Sequence, residues 1–155
     1  MGAPRATKIM TRTLTAAIVI FGSAMAFSIN ALGQEAPAPS TVWDKVYTEA
    51  QATRGKDAYM TECSACHSED LGGSGYAPAL KGDDFAFAWG DKSVGDFFNR
   101  IRRLMPPDNP GSLTADKYRD IITFILQENK YPAGDRELSA EPAALNLIKI
   151  TAPPK

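Results

Sequence analysis

Cys63-Ser64-Ala65-Cys66-His67 is the stretch of this chain from which the rest of the reading follows. It holds both cysteines and the single histidine of the 155 residues. On a helix end, positions i, i+3 and i+4 share one face, so two thiols and an imidazole converge on one patch. Cys-x-x-Cys-His is the spacing of covalent haem c attachment. Each thiol can reach one vinyl group while the imidazole turns toward the iron. Three other chemistries use parts of the pattern. A structural disulfide is permitted outside the cytoplasm, but it leaves His67 without a role. A thioredoxin-like redox pair needs a βαβ framework, and no strand pattern is visible. Structural zinc takes four ligands, and these three lie too close together. Haem attachment uses all three residues.

Such attachment takes place outside the cytoplasm, and the start of the chain suits export. Residues 1–13 carry Arg5, Lys8 and Arg12 and no acid, and Leu14 to Gly33 carry no charge at all. A basic start, an apolar middle and small residues near the end form the layout of a secretory signal peptide. Cleavage could follow Ala26 or Gly33. The second is preferred, because Gln34-Glu35-Ala36-Pro37-Ala38-Pro39-Ser40 reads as a flexible start to a mature protein. An uncharged run of about twenty residues is also long enough to span a bilayer, although Ser23, Ser28 and Asn30 weaken it as an anchor. The leader has no Arg-Arg pair, which points to the general export route.

The expected organisation is a signal peptide over residues 1–33, a flexible linker over 34–46 and a domain over 47–155 ending in a C-terminal extension. About 120 residues make one domain with one small core. Losing Arg5, Lys8 and Arg12 takes the formal charge from −1 to about −4. The basic residues are dispersed rather than gathered in a stripe, so no nucleic-acid partner is expected. The expected location is periplasmic, with membrane contact only if residues 14–33 stay uncleaved.

Apolar spacing predicts an all-α domain. A first helix from near Tyr47 to Cys63 would use Tyr47, Ala50, Ala58, Tyr59 and Cys63 as its core face, with Gly55 in its middle needing a packing reason. The Gly-rich run from Leu71 to Pro78 reads as loop. A second helix, Val94 to Leu104, is capped by Ser93 with Asp96 in the capping-box position. Pro106 and Pro107 stop it and open an extended loop to Gly111. Thr114 caps a third helix from Ala115 to about Asn129, whose stripe is Tyr118, Ile121, Ile122, Ile125 and Leu126. The run Leu145-Asn146-Leu147-Ile148 in the tail is expected to pack back on the domain.

One histidine excludes a bis-histidine haem unless a partner donates the second. Met60 lies one turn before Cys63, badly placed to cross to the opposite haem face. Met105 ends the second helix and enters a Pro-rich loop that can wrap the far side, and a thioether is a sensible soft axial ligand that raises the reduction potential. The bland reading of Met105 is core filler. Arg100, Arg102 and Arg103 precede it; Arg100 and Arg103 share a helix face and could neutralise a haem propionate, while an ordinary solvated face explains them equally well.

Taken in order, Cys63-Ser64-Ala65-Cys66-His67, Pro78-Ala79-Leu80-Lys81-Gly82 and Met105-Pro106-Pro107 resemble the class I c-type cytochromes, over about Ala50 to Tyr131. The resemblance implies three main helices around one covalently bound haem c, with its iron ligated by His67 and Met105. It implies that the first and last helices cross at Gly55 and Tyr59 against Tyr118 or Phe124. Pro78 would offer its carbonyl to the far nitrogen of His67, and Leu80 would pack on the haem face. Trp89, in a Phe-x-x-x-Trp segment ahead of Val94-Gly95-Asp96-Phe97-Phe98, is similar to the tryptophan of cytochromes that accompany quinoprotein alcohol and sugar dehydrogenases. It reads either as a propionate hydrogen-bond donor or as a large core residue. The tail, with Tyr131-Pro132-Ala133-Gly134 and Glu137-Leu138, is similar to the tails of that subgroup.

The expected function is one-electron transfer, not catalysis, because a six-coordinate iron has no open position. Expected donors are a quinoprotein dehydrogenase or a membrane respiratory complex, and the expected acceptor is a terminal oxidase. A fixed haem subunit of a dehydrogenase complex is the alternative. A ligand-binding or sensing haem would need an open iron, and no distal histidine is available to assist peroxide chemistry.

Overall fold

A computed structural model of the chain describes residues 40–154, together with Gly2. The signal peptide expected over residues 1–33 and the first part of the linker lie outside the described residues. Among the described residues no helix is long and apolar enough to cross a membrane. Elements run in the order β1 Ser40–Thr41, α1 Glu49–Glu62, α2 Ser64–His67, α3 Gly82–Trp89, α4 Val94–Leu104, α5 Ala115–Glu128, α6 Pro142–Asn146 and β2 Ile148–Lys149. The fold is all-α in character, the cytochrome c fold, with the two short strands as an accessory.

Each main helix starts where a side-chain cap satisfies an otherwise unpaired N–H. Thr48 accepts from Gln51 N at α1, and Thr114 accepts from Lys117 N at α5. Ser93 and Asp96 form the reciprocal capping box at α4. The buried face of α1 differs from expectation. Gln51, Ala52, Gly55 and Tyr59 point inward, whereas Ala50 is exposed and Tyr47 is buried ahead of the helix. α1 crosses α5 at Gly55, where an added Cβ would stand 1.8 Å from the Asp120 carbonyl oxygen and 3.1 Å from Phe124 Cβ. Only a glycine lets the two backbones approach this closely. Tyr59 meets Phe124 with ring centroids 5.3 Å apart, so Phe124, and not Tyr118, is the aromatic at the crossing.

Two regions depart from the expected organisation. Residues 34–46 read as a flexible linker, yet residues 40–46 are part of the packed domain. β1 pairs in parallel with β2, Val42 is fully buried, and Trp43 Nε1 donates to the Thr151 carbonyl at 3.0 Å. The apolar Val42 and Trp43 find partners only in the C-terminal tail, which the local Pro-rich composition does not reveal. The tail packs back as expected, burying Leu138, Leu145, Ile148 and Ile150. α3 is the second departure, a helix of eight residues with only Phe85 buried. Its short apolar pattern carries no clear helical period.

Candidate haem site

Cys63 breaks the helical path between α1 and α2, with φ −127° and ψ −32°. Its carbonyl accepts from both Cys66 N at 3.2 Å and His67 N at 2.9 Å. This single turn sets the two thiols and the imidazole along one cavity wall. Both thiols are free; Cys63 is half-buried and Cys66 exposed. Burial pushes the Cys63 thiol up to about 11, with Glu62 and Cys66 adding to the rise, so it sits in the wall as a neutral, largely apolar group.

The imidazole of His67 is buried, and its Nδ1 lies 2.9 Å from the Pro78 carbonyl oxygen. That contact makes Nδ1 the protonated nitrogen and leaves Nε2 with its lone pair, the form a metal ligand requires. The loop that supplies Pro78 is itself tied to the histidine turn. Gly73 N donates to the His67 carbonyl at 3.0 Å, and Ser74 Oγ donates to the Cys66 carbonyl at 2.6 Å. Gly73 has φ +75°, and a Cβ there would lie 2.5 Å from the Ala77 carbonyl oxygen. From below, the Tyr59 hydroxyl donates to the Ser68 carbonyl at 2.7 Å. Burial raises its pKa well above the ordinary tyrosine value, which keeps it a donor.

The wall described belongs to a cavity of about 610 Å³, within the range of cofactor sites. Leu80, Ile101, Leu113, Ile121 and Ile125 make it apolar, and Glu62, Asp84 and Arg100 are the charged residues that line it. All seven residues singled out from the sequence border it: Cys63, Cys66, His67, Pro78, Leu80, Trp89 and Met105. Met60 does not line it. Trp89 is half-buried and packs on Phe97 with ring centroids 4.4 Å apart while also facing the cavity. Arg100 lines the cavity, but Arg102 and Arg103 are exposed in the last turn of α4, where cations complement the helix dipole. The sequence reading missed the cavity role of Ile121, Ile125 and Tyr118, which it took only as an apolar helix stripe; nothing local separates a residue facing a helix from one facing a cofactor.

Two thiols one turn apart, an imidazole with its outer nitrogen engaged, a thioether and apolar walls form a donor set that suits haem c. The residues present fit the group. Among the described residues no cluster of His, Cys, Asp and Glu is arranged to hold a bare metal ion.

The cytochrome c fold and this cavity fit haem c with its iron as cofactor, and a cytochrome c domain implies haem-based electron transfer as the chemistry. Residues 50–125 match the family model described as cytochrome c oxidase, cbb3-type, subunit III. Among solved structures, the chain is similar to the sulfane dehydrogenase SoxCD from Paracoccus pantotrophus, with a TM-score of 0.44 and 20% identity. That similarity covers 61% of this chain and 55% of the other, so it spans about half of the SoxCD chain. No curated protein matches the sequence.

Proposed function

We propose that the chain is an exported one-electron carrier in which Cys63 and Cys66 would hold haem c through thioether bonds, and His67 Nε2 and Met105 Sδ would ligate its iron. When bound, the haem supplies a reversible ferric–ferrous couple. The observation that carries the reading is the 2.9 Å contact of His67 Nδ1 with Pro78, with Met105 bordering the same cavity. The Pro78 carbonyl orients the ring and makes Nε2 more basic. The apolar walls exclude water, which disfavours the more highly charged oxidised state and raises the potential. The basic leader and uncharged run of residues 1–33 support a periplasmic location. A quinoprotein dehydrogenase or a membrane respiratory complex is the proposed donor, and a terminal oxidase the acceptor. Those partners rest on the resemblance of Trp89 and the tail to cytochromes of quinoprotein dehydrogenases.

A second reading is a fixed haem subunit, in a quinoprotein dehydrogenase or another redox complex. It is favoured by the matched family, whose description names a subunit of an oxidase. Stoichiometric co-purification with a redox enzyme would support it, and a monomer on sizing would count against it.

An absorption spectrum of the mature protein, with a denatured pyridine haemochrome alongside, tests the ligand set. The expected result is a c-type haemochrome together with the weak long-wavelength band of sulfur-ligated ferric haem, lost in Met105→Ala. A high-spin spectrum in the unmutated protein would instead mean an open iron and overturn the carrier reading in favour of ligand binding.

A further inference from the structure

The segment that delivers Met105 is held by few hydrogen bonds. Met105 is the C-cap of α4, its N–H donating to the Ile101 carbonyl at 2.8 Å. Beyond it, Asn109 N donates to the Pro106 carbonyl and Ser112 N to the Asn109 carbonyl, two successive turns internal to the loop. The Met105 carbonyl has one short partner, the Tyr118 hydroxyl of α5, which donates to it at 2.6 Å. Its other contact, from Gly111 N, is stretched to 3.5 Å.

Tyr118 is well placed for this task. Its side chain is 1% exposed, its ring meets Phe98 of α4 edge to face at 6.4 Å, and it borders the same cavity as Met105. A ring wedged between two helices aims the hydroxyl at one point. A tyrosine used only as core would need any hydrogen-bond partner; this one takes the main-chain carbonyl of the residue proposed as axial ligand.

We propose that Tyr118 is the positioning residue of the Met105 loop: its hydroxyl pins the Met105 carbonyl and so resists withdrawal of the thioether from the cavity. This rests on Met105 being the axial ligand as argued above. Displacing the thioether requires the loop to move and the 2.6 Å bond to break, so the bond sets part of the resistance to ligand exchange.

The test is titration of the ferric, haem-loaded protein with imidazole, followed by loss of the sulfur-to-iron band. Tyr118→Phe keeps the ring and removes the hydroxyl, and its apparent imidazole Kd should tighten about five-fold, the equivalent of one neutral hydrogen bond. The control is Tyr47→Phe, which deletes another hydroxyl-to-carbonyl bond of 2.6 Å, from Tyr47 to Tyr131, at a residue that does not line the cavity. It should lower the melting temperature without moving the Kd. An unchanged Kd in Tyr118→Phe, or an equal shift in Tyr47→Phe, overturns the proposal. If Tyr118→Phe fails to take up haem, Phe98→Leu unseats the ring while keeping the hydroxyl, and an unchanged Kd there has the same meaning. Absence of the sulfur band from the unmutated protein would instead refute Met105 ligation, a failure of the earlier reading that is visible before any titration.

Discussion

His67, Gly73 and Pro78 act as one unit in presenting the imidazole. The Gly73 N–H holds the His67 carbonyl, and its missing Cβ admits the Ala77 carbonyl and the Pro78 backbone. With φ at +75°, an L-residue there is strained even before it meets the loop, at about 1 kcal/mol. Gly73→Ala is therefore expected to push residues 77–79 outward and weaken the 2.9 Å His67–Pro78 contact. Losing that contact makes the ring a poorer donor to oxidised iron, so the reduction potential should rise, by about 60 mV for a tenfold effect on this one-electron couple. Redox titration beside the unmutated protein checks it; an unchanged or lower potential would contradict the role given to Pro78. Cys63, Cys66 and His67 were legible as a set because one helical turn brings them together, with no help from the remainder of the chain.

α4 shows how an element can be read almost completely from its own residues. Ser93 and Asp96 announce its cap, and its bounds are those expected, Val94–Leu104. The expected face of Phe97, Ile101 and Leu104 borders the cavity with Leu104 exposed, and Val94, Gly95 and Phe98 are buried beside Phe97. The Ser93 backbone N–H, followed by its hydroxyl, holds the Asp96 carboxyl below the ordinary carboxylate value. A depressed carboxylate stabilises the fold above its unfolded pKa, and this contribution is lost as pH falls through the folded value. Ser93→Ala should cost about 1 kcal/mol at pH 7, and the gap to the unmutated protein should narrow below about pH 4. Urea unfolding at pH 7 and pH 3 measures both; a gap that widens in acid would exclude the Ser93–Asp96 pair as its source. α1 was less legible. Its inner face turned out to include Gln51 and Gly55, because what selects that face is α5 and the tail rather than the apolarity of α1 itself.

At the scale of the whole molecule, the C-terminal tail joins elements distant in sequence. β2 pairs with β1, Ile150 exchanges backbone hydrogen bonds with Asp91 and Lys92 just after α3, and α6 packs across α4. Gln51 anchors the middle of the tail, since its fully buried amide donates to the Leu138 carbonyl at 3.1 Å and accepts from Leu138 N at 2.8 Å. Gln51→Leu keeps the volume but leaves both Leu138 backbone groups buried without partners. It should cost about 3 kcal/mol and raise the hydrogen-exchange rate of the Leu138 amide. Exchange at Leu138 as slow as in the unmutated protein would show that the tail does not depend on Gln51. The apolar run from Leu145 to Ile148 suggested that the tail packs back, but nothing in it named what it packs against.

The residues alone determined the haem-attachment turn, the order of histidine, proline and methionine along the chain, the caps of α4 and α5 and the all-α class. Each is a local property, written within one or two turns and enforced by backbone hydrogen bonding and side-chain spacing. Tertiary structure alone decided that Val42 and Trp43 belong to the packed domain, that Phe124 meets Tyr59 at the helix crossing, and that Tyr118 reaches the Met105 carbonyl. The partners in the first case lie as far as 108 positions apart, and two-residue strands are too short to carry a period. Which of several apolar faces meets which is settled by packing the helices and tail into one dense core, a condition that no single segment contains.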